Sequence, residues 1–188
     1  MGNCEFPILK TPRLLLRAIN HSDAKSVHRN LSDCDTVLYS NTEEPPSLEE
    51  VYKIVDIWKG NFKQQLGIRW GITVREQNIV IGSCGYKNIN KKHRRAEIGY
   101  EIRGEYRRKG LMSEALNAVI QYGFEVIKLN RVEATVNCDN LPSILLLNKL
   151  GFSEEVILRE YELQQGQFTD LKLFSLLYQK SSSFNHQS

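Results

Sequence analysis

The run Arg107-Arg108-Lys109-Gly110-Leu111-Met112 sets three cations and a glycine at the start of an amphipathic helical stretch, directly after a segment of alternating polarity. At a helix start the first backbone N–H groups have no intrahelical acceptor, and the aligned peptide dipoles add partial positive charge. Gly110 lacks the Cβ that would hold a phosphate oxygen off the backbone, and Arg107, Arg108 and Lys109 supply counter-charge. The chemistry expected of such a turn is the seating of a pyrophosphate. A solvated basic turn with an ordinary loop glycine accounts for the six residues alone equally well. A nucleoside-triphosphatase loop does not fit, because Leu111 follows Gly110 where a lysine and a serine or threonine would hold the γ-phosphate and magnesium. Nor is there a Gly-x-Gly-x-x-Gly turn for a dinucleotide.

Periodicity locates the elements that must hold this turn. Thr11 to Arg17 reads as a first strand, with Pro12 tolerated near its start, and a short helix follows, with Asn20, Ser22 or Asp23 as its cap. From Ser47 to Leu66, Val51, Ile54, Val55, Trp58 and Phe62 share one helical face behind a Ser47-x-x-Glu50 capping box. The period then drops to two. Ile68, Trp70, Ile72 and Val74 alternate, and Ile79 to Tyr86 resumes after a turn at Gln77-Asn78, which predicts an antiparallel pair. A third strand over Arg94 to Arg103 puts Ala96, Ile98, Tyr100 and Ile102 on one face and Glu97, Gly99 and Glu101 on the other. Beyond the basic turn, Leu111, Ala115, Ala118, Val119, Tyr122 and Val126 form a helical stripe ending near Lys128. Val132, Ala134 and Val136 alternate as a strand. A helix over Pro142 to Leu150 has Asn140 near its cap and Gly151 past its end. Strands over Phe152 to Glu162 and Thr169 to Tyr178 complete the chain, and Ser181 to Ser188 reads as a frayed polar tail. The order predicts one domain, a mixed α/β sheet with helices on its faces and a cleft where the antiparallel part meets the crossover part.

Composition narrows the classes. Twenty-five basic against 22 acidic residues leave +3, too weak an excess to mark a nucleic-acid binder, although Lys91-Lys92-His93-Arg94-Arg95 is a local basic run. Cys4, Cys34, Cys84 and Cys138 show neither metal-ligand spacing nor a disulfide framework, so reduced thiols in a cytoplasm are expected, with no metal. Cys84 or Cys138 as a nucleophile would need an activating histidine, and His93 lies in the basic run. No apolar run approaches the roughly 20 residues of a membrane span, and no signal-peptide pattern opens the chain. Met1-Gly2-Asn3-Cys4 departs from the myristoylation pattern at Phe6.

Several separated segments resemble the GNAT superfamily of N-acetyltransferases, in its RimJ/RimL-like branch. They are Thr11-Pro12-Arg13-Leu14-Leu15-Leu16-Arg17, Ala96 to Ile102, Arg107 to Leu116, Arg131-Val132-Glu133-Ala134 and Asn140 through Phe152, together covering about residues 10 to 180. The resemblance implies a mostly antiparallel twisted sheet with a splayed strand pair and helices on both faces. It implies acetyl-CoA as cosubstrate, with the pyrophosphate loop on Arg107, Arg108, Lys109, Gly110, Leu111 and Met112. Met112 stands where the general pattern has glycine or alanine; the expectation is that its side chain turns into the core and leaves its N–H available. Pantetheine is expected against the backbone of Ile102, Arg103 and Gly104, with Asn140, Ser143 and Asn148 also on the cofactor. Many relatives carry a tyrosine as general acid at the position that is Leu147 here, and Ser143 is the substitute expected nearby.

The implied reaction is direct attack of a neutral amine on the thioester, which requires a proton acceptor. Glu97, Glu101 and Glu133 are the candidates, Glu97 foremost; strand alternation also yields such outward carboxylates without any function. Ser143 and Asn140 are likewise ordinary helix-start residues. The acceptor expected is a peptide N-terminus, a polyamine or another small amine. The alternative is a non-catalytic acyl-CoA-binding module, favoured only by Leu147. Acidic Glu43-Glu44 and Glu49-Glu50 suit a cationic amine as well as they suit a helix start. Dimerisation through the final strands is compatible with the sequence. No nucleic-acid or membrane partner is expected.

Overall fold

The computed structural model of the chain describes residues 5–39, 44–164 and 166–178; Cys4, Glu43 and the 181–188 segment lie outside them. Eight strands form one sheet in the order β1-β2-β3-β4-β5-β6-β8-β7. They are β1 (Leu9–Lys10), β2 (Leu14–Ala18), β3 (Ile68–Val74), β4 (Val80–Asn90), β5 (Arg95–Ile102), β6 (Arg131–Asn137), β7 (Ser153–Gln164) and β8 (Gln167–Leu177). The helices are α1 (Ala24–Leu31), α2 (Cys34–Leu38), α3 (Leu48–Lys63), α4 (Leu111–Glu125) and α5 (Leu141–Lys149). The short α2 is not predicted by the sequence periodicity, and the expected strand over Thr11 to Arg17 is shorter than expected: Thr11 to Arg13 form a turn between an upstream β1 and a β2 that begins at Leu14.

Every neighbouring pair is antiparallel except β5 and β6, which run parallel and pair only over Arg95–Glu97 and Arg131–Glu133. Beyond Glu97 the two strands part. The β6 backbone continues its ladder with β8 from Arg131 to Asn137, so the divergence opens on the β5 side of β6. This is the splayed pair that the sequence resemblance implied.

Alternation in the strands feeds two cores on opposite faces of the sheet. Leu14, Leu16, Trp70, Ile72 and Ile81 join Ala115, Leu116 and Val119 of α4, with Leu147 of α5. Val80, next to Ile81, faces the other way, to Ile19, Ala24, Val27, Val51 and Val55 beneath α1 and α3. α3 begins with the capping box expected from sequence: the Glu50 N–H donates to Ser47 Oγ (3.3 Å) while the Ser47 N–H donates to Glu50 Oε2 (2.7 Å). Val126 departs from the sequence reading. It lies just past the last residue of α4 and is 59% exposed, because the helical period stops before it.

Beside β6, a charge network ties three strands. Arg131 donates to both oxygens of Glu155 (2.7 Å each) and to Glu133 (2.6 Å), and Ser175 donates to Glu155 (2.5 Å). Arg131 and Ser175 hold the Glu155 carboxyl down to about 2, below the ordinary glutamate value of about 4.3. A folded-state value below the unfolded one means that the contribution is present above pH ~4.3 and disappears as pH falls toward ~2. The melting temperature of Glu155→Gln is therefore expected to lie below wild type at pH 7, by about 2 °C given how solvent screens a partly exposed pair, and the gap to close as pH falls through about 2.

Candidate active site

The turn expected to seat a pyrophosphate takes its shape from how the chain leaves β5. After Ile102 a 3₁₀ turn, Gly104–Tyr106, leads to a reversal in which Arg108 (φ 57°) and Gly110 (φ 73°) both adopt the left-handed region. Gly110 is the N-cap of α4, has no side chain to cap with, and accepts the Glu114 N–H (3.1 Å). Among the described residues, the N–H groups of Lys109 through Ser113 find no acceptor, the arrangement that a helix start offers to an anion. Leu111 and Met112 are 7% and 8% exposed and turn into the core, so the seat is made of backbone.

Residues far away in sequence hold the loop. Arg13 donates from Nη1 to the Lys109 carbonyl (2.9 Å) and from Nε to Glu114 (2.6 Å), and Thr11 donates to the same carboxylate (2.5 Å). Burial pushes the Glu114 carboxyl up, but the Thr11 and Arg13 hydrogen bonds outweigh it and the net direction is down. Sequence reasoning passed over Arg13 as a functional residue although the Thr11-Pro12-Arg13 segment carried part of the resemblance. Its partner, Glu114, is one helical turn into α4, and only the tertiary fold joins them.

The cations of the loop divide. Arg108 and Lys109 are exposed, and the Lys109 ammonium lies 5.7 Å from the centre of the Tyr106 ring. Arg107 instead folds back: its Nε donates to the Ile102 carbonyl (3.0 Å) and its guanidinium pairs with Asp33, which also accepts the Gly104 N–H (3.0 Å). The Arg103 side chain turns inward to the Val80 carbonyl (3.2 Å), with its Nε buried and unpartnered. The Arg103 N–H donates to Ile81 (3.1 Å). These bonds narrow the expectation that Ile102, Arg103 and Gly104 offer their backbone to pantetheine: the N–H groups of Arg103 and Gly104 are committed within the protein, and that of Ile102 is not. With Arg103 bonded toward β4, antiparallel alternation aims the backbone groups of Tyr100 and Ile102 the other way, into the gap beside β6.

That gap is a cleft of about 250 Å³. Glu97, Tyr100, Thr135, Asn140, Ser143 and Glu162 are among the residues lining it. Of the three carboxylates weighed from sequence, Glu97 alone reaches it. Its Oε1 accepts from Lys87 Nζ (2.9 Å) and Thr135 Oγ1 (2.9 Å), whereas its Oε2 has a single long contact to Asn88 (3.3 Å). Oε2 is thus the oxygen with capacity to accept another proton donor. Glu133 is occupied by Arg131 and Arg95. Glu101, further along the same face of β5, is locked against Arg69 of β3 and Ser83 of β4, where burial pushes its carboxyl up against the pull of Arg69.

Ser143 comes from the first turn of α5, where its N–H donates to Asn140 Oδ1 (3.1 Å). Its Oγ lies 2.7 Å from Tyr100 Oη across the cleft. Burial pushes the Tyr100 phenol up to about 12, so it remains a neutral hydroxyl at working pH. Strand alternation alone puts Tyr100 on the core face of β5. Because β6 diverges there, that face is open to the cleft, a fact that only the strand splay reveals. Leu147 is fully buried in the core, and Asn148 is exposed on α5 outside the cleft lining, so the structure does not bring Asn148 to the site. Cys84 is fully buried, and burial raises its thiol to about 12, which leaves no thiolate to form an acyl-enzyme there.

A splayed β5–β6 pair beside a helix start with open N–H groups suits an acyl-CoA-dependent transferase, and residues 13–153 match the acetyltransferase (GNAT) domain. The chain belongs to the GNAT acetyltransferase family and transfers an acetyl group to an amine. It is 39% identical over 172 residues to the Bacillus subtilis protein "Uncharacterized N-acetyltransferase YoaA", covering 92% of this chain and 97% of that one. It is 30% identical over 153 residues to the Escherichia coli (strain K12) protein "Spermidine N(1)-acetyltransferase", covering 81% of this chain and 80% of the other. The crystal structure of a GNAT-family acetyltransferase from Bacillus anthracis superposes with a TM-score of 0.80 at 27% identity, over 91% of this chain and 98% of that one.

Proposed function

We propose that acetyl-CoA lies in the gap between β5 and β6, with its pyrophosphate on the N–H groups of Lys109 to Ser113, its pantetheine along Tyr100 and Ile102, and its thioester between Glu97 and the Tyr100–Ser143 pair. The observation that carries this reading is the convergence of Glu97, Tyr100 and Ser143 on one cleft where β5 leaves β6. The amine nitrogen attacks the thioester carbonyl and the C–N bond forms. The tetrahedral adduct then collapses with cleavage of the C–S bond. The proton lost by nitrogen passes to Glu97 Oε2, directly or through water, and the sulfur leaves as a thiolate facing the Ser143 and Tyr100 hydroxyls.

The acceptor we favour is a peptide N-terminus. Glu97 and Glu162 stand with Lys87 in the cleft lining, a balance suited to one ammonium and not to a polycation. A polyamine is the second reading, favoured by the likeness to the E. coli spermidine acetyltransferase. We also place the chain in the RimJ/RimL-like branch, on the loop and α5 segments, and in a cytoplasm, where the described cysteines, all unpaired, would remain thiols.

Thiol release followed over a panel of peptides and polyamines tests the proposal: release requires an amine and is faster with peptides. Ser143→Ala is expected to lower kcat less than tenfold and Tyr100→Phe about tenfold, because a thiol of pKa ~8.5 leaves well without a proton. A loss beyond a thousandfold in either variant would make that hydroxyl an obligate acid. Release independent of amine would overturn the scheme.

A further inference from the structure

We propose that an apolar pocket at the far end of α4 is a second ligand site, for a small carboxylate with a hydrocarbon body. The pocket, of about 480 Å³, lies where the end of α3, the start of β3, the β4–β5 turn and the α4–β6 loop meet. Phe62, Ile68, Ile89, Tyr122, Ile127 and Leu129 form its apolar lining, and the exposed Val126 stands in its wall. Organic ligands occupy clefts of about 300–1,000 Å³ that are mostly apolar with a few placed polar groups.

The charged residues of the lining are Lys91, Arg94 and Lys128, all basic. Among the described residues none of the three is paired with a carboxylate: Lys91 donates to the Gln65 side chain and Arg94 Nε to the Lys128 carbonyl (2.6 Å), both neutral. The C-terminus of α4 accounts for one cation nearby. It does not account for three around a hydrocarbon floor.

The backbone adds an independent observation. Gln65 (φ 59°), Arg94 (φ 51°) and Lys128 (φ 64°) all line this pocket in the left-handed region. At Gln65 this is the ordinary terminus of α3, with the Leu66 N–H donating to Asn61 and the Gln65 N–H to Phe62, whereas at the Arg94 and Lys128 turns long polar side chains stand where glycine would adopt the conformation more readily. An apolar floor takes a hydrocarbon and an unpaired cationic rim takes an anion, so the occupant is an apolar carboxylate. The pocket shares no lining residue with the catalytic cleft. The 15 residues of α4, about 22 Å at 1.5 Å per residue, separate it from the pyrophosphate seat.

Calorimetric titration of the full chain with decanoate, in the presence of saturating acetyl-CoA, tests the proposal, with decylamine and decanol as controls. Decanoate is expected to bind with one site, at least tenfold tighter than either control. The K91Q/K128Q variant, which keeps the Arg94 bond to the Lys128 carbonyl, and the V126E variant, which sets a carboxylate in the wall at an exposed position, should each weaken decanoate at least tenfold while acetyl-CoA affinity is unchanged. Equal binding of decylamine, competition between decanoate and acetyl-CoA, or unaltered affinity in both variants would overturn it. So would association seen only with anionic vesicles, which would make the patch a membrane contact.

Discussion

Glu97→Gln is expected to reduce kcat/KM for a lysine-like amine by about a thousandfold, within the range of single acid–base contributions, and for a peptide α-amine by less than about tenfold. Deprotonating an amine of pKa ~10.4 at pH 7 costs about 4.6 kcal/mol, against about 1.4 kcal/mol for an α-amine near 8, so the weaker base leaves the second substrate nearly as reactive. Glutamine preserves the shape that meets Thr135 and removes the carboxylate proposed to take the proton at Oε2. Lys87, which would lose its ion partner, has a side chain 62% exposed and is compensated by water, so the variant should fold normally. Second-order rates for both substrate types decide the matter. Equal losses would make Glu97 a residue that positions the amine instead of one that takes its proton.

Glu101→Ala is expected to destabilise the fold by about 3–5 kcal/mol, the cost of leaving a largely buried charge without its partner. The Glu101 and Arg69 side chains are 11% and 19% exposed, Ser83 bonds both, and the Arg69 guanidinium lies 5.5 Å from the Trp58 ring centre. At about 2–4 °C per kcal/mol for a chain of this size, the melting temperature should drop by about 6–20 °C. Glu49→Ala, which breaks an ion pair with side chains 82% and 69% exposed, should stay within about 0.5 kcal/mol of wild type. Replacing both buried partners, as in Glu101→Leu with Arg69→Met, should recover most of the loss, since hydrophobic pairs often match a buried ion pair. A loss below about 1 kcal/mol for Glu101→Ala would show that water reaches Arg69 and that the cluster contributes little.

Local rules carried much of the fold. The two-residue period of Ile68–Val74, the capping box at Ser47 and the stripe from Leu111 to Tyr122 are each set by neighbours in sequence, so β3, α3 and α4 were legible from the chain. Glu97 was legible as a strand carboxylate. What distinguishes it from Glu101 and Glu133 was not, because the difference lies in which partners surround each: Lys87 and Thr135, or Arg69 and Ser83, or Arg131 and Arg95. Tyr100 illustrates the same limit. Alternation put it on the core face, and only the departure of β6 after Glu133 turns that face toward Ser143. Arg107 shows a converse case: its place in the basic turn was visible, but its retreat onto Asp33 depends on the tertiary fold bringing the turn between α1 and α2 beside the loop.

Calorimetric titration of acetyl-CoA into the wild-type protein and the Gly110→Glu variant tests the cofactor seat most directly. Any Cβ at φ 73° is strained, by about 1–2 kcal/mol, and a carboxylate beside the open N–H groups of α4 repels the phosphates. The variant should therefore bind about 30–100-fold more weakly, while Gly110→Ala loses only the smaller, conformational part of the affinity. Unchanged affinity in Gly110→Glu would contradict the placement of the pyrophosphate on this turn.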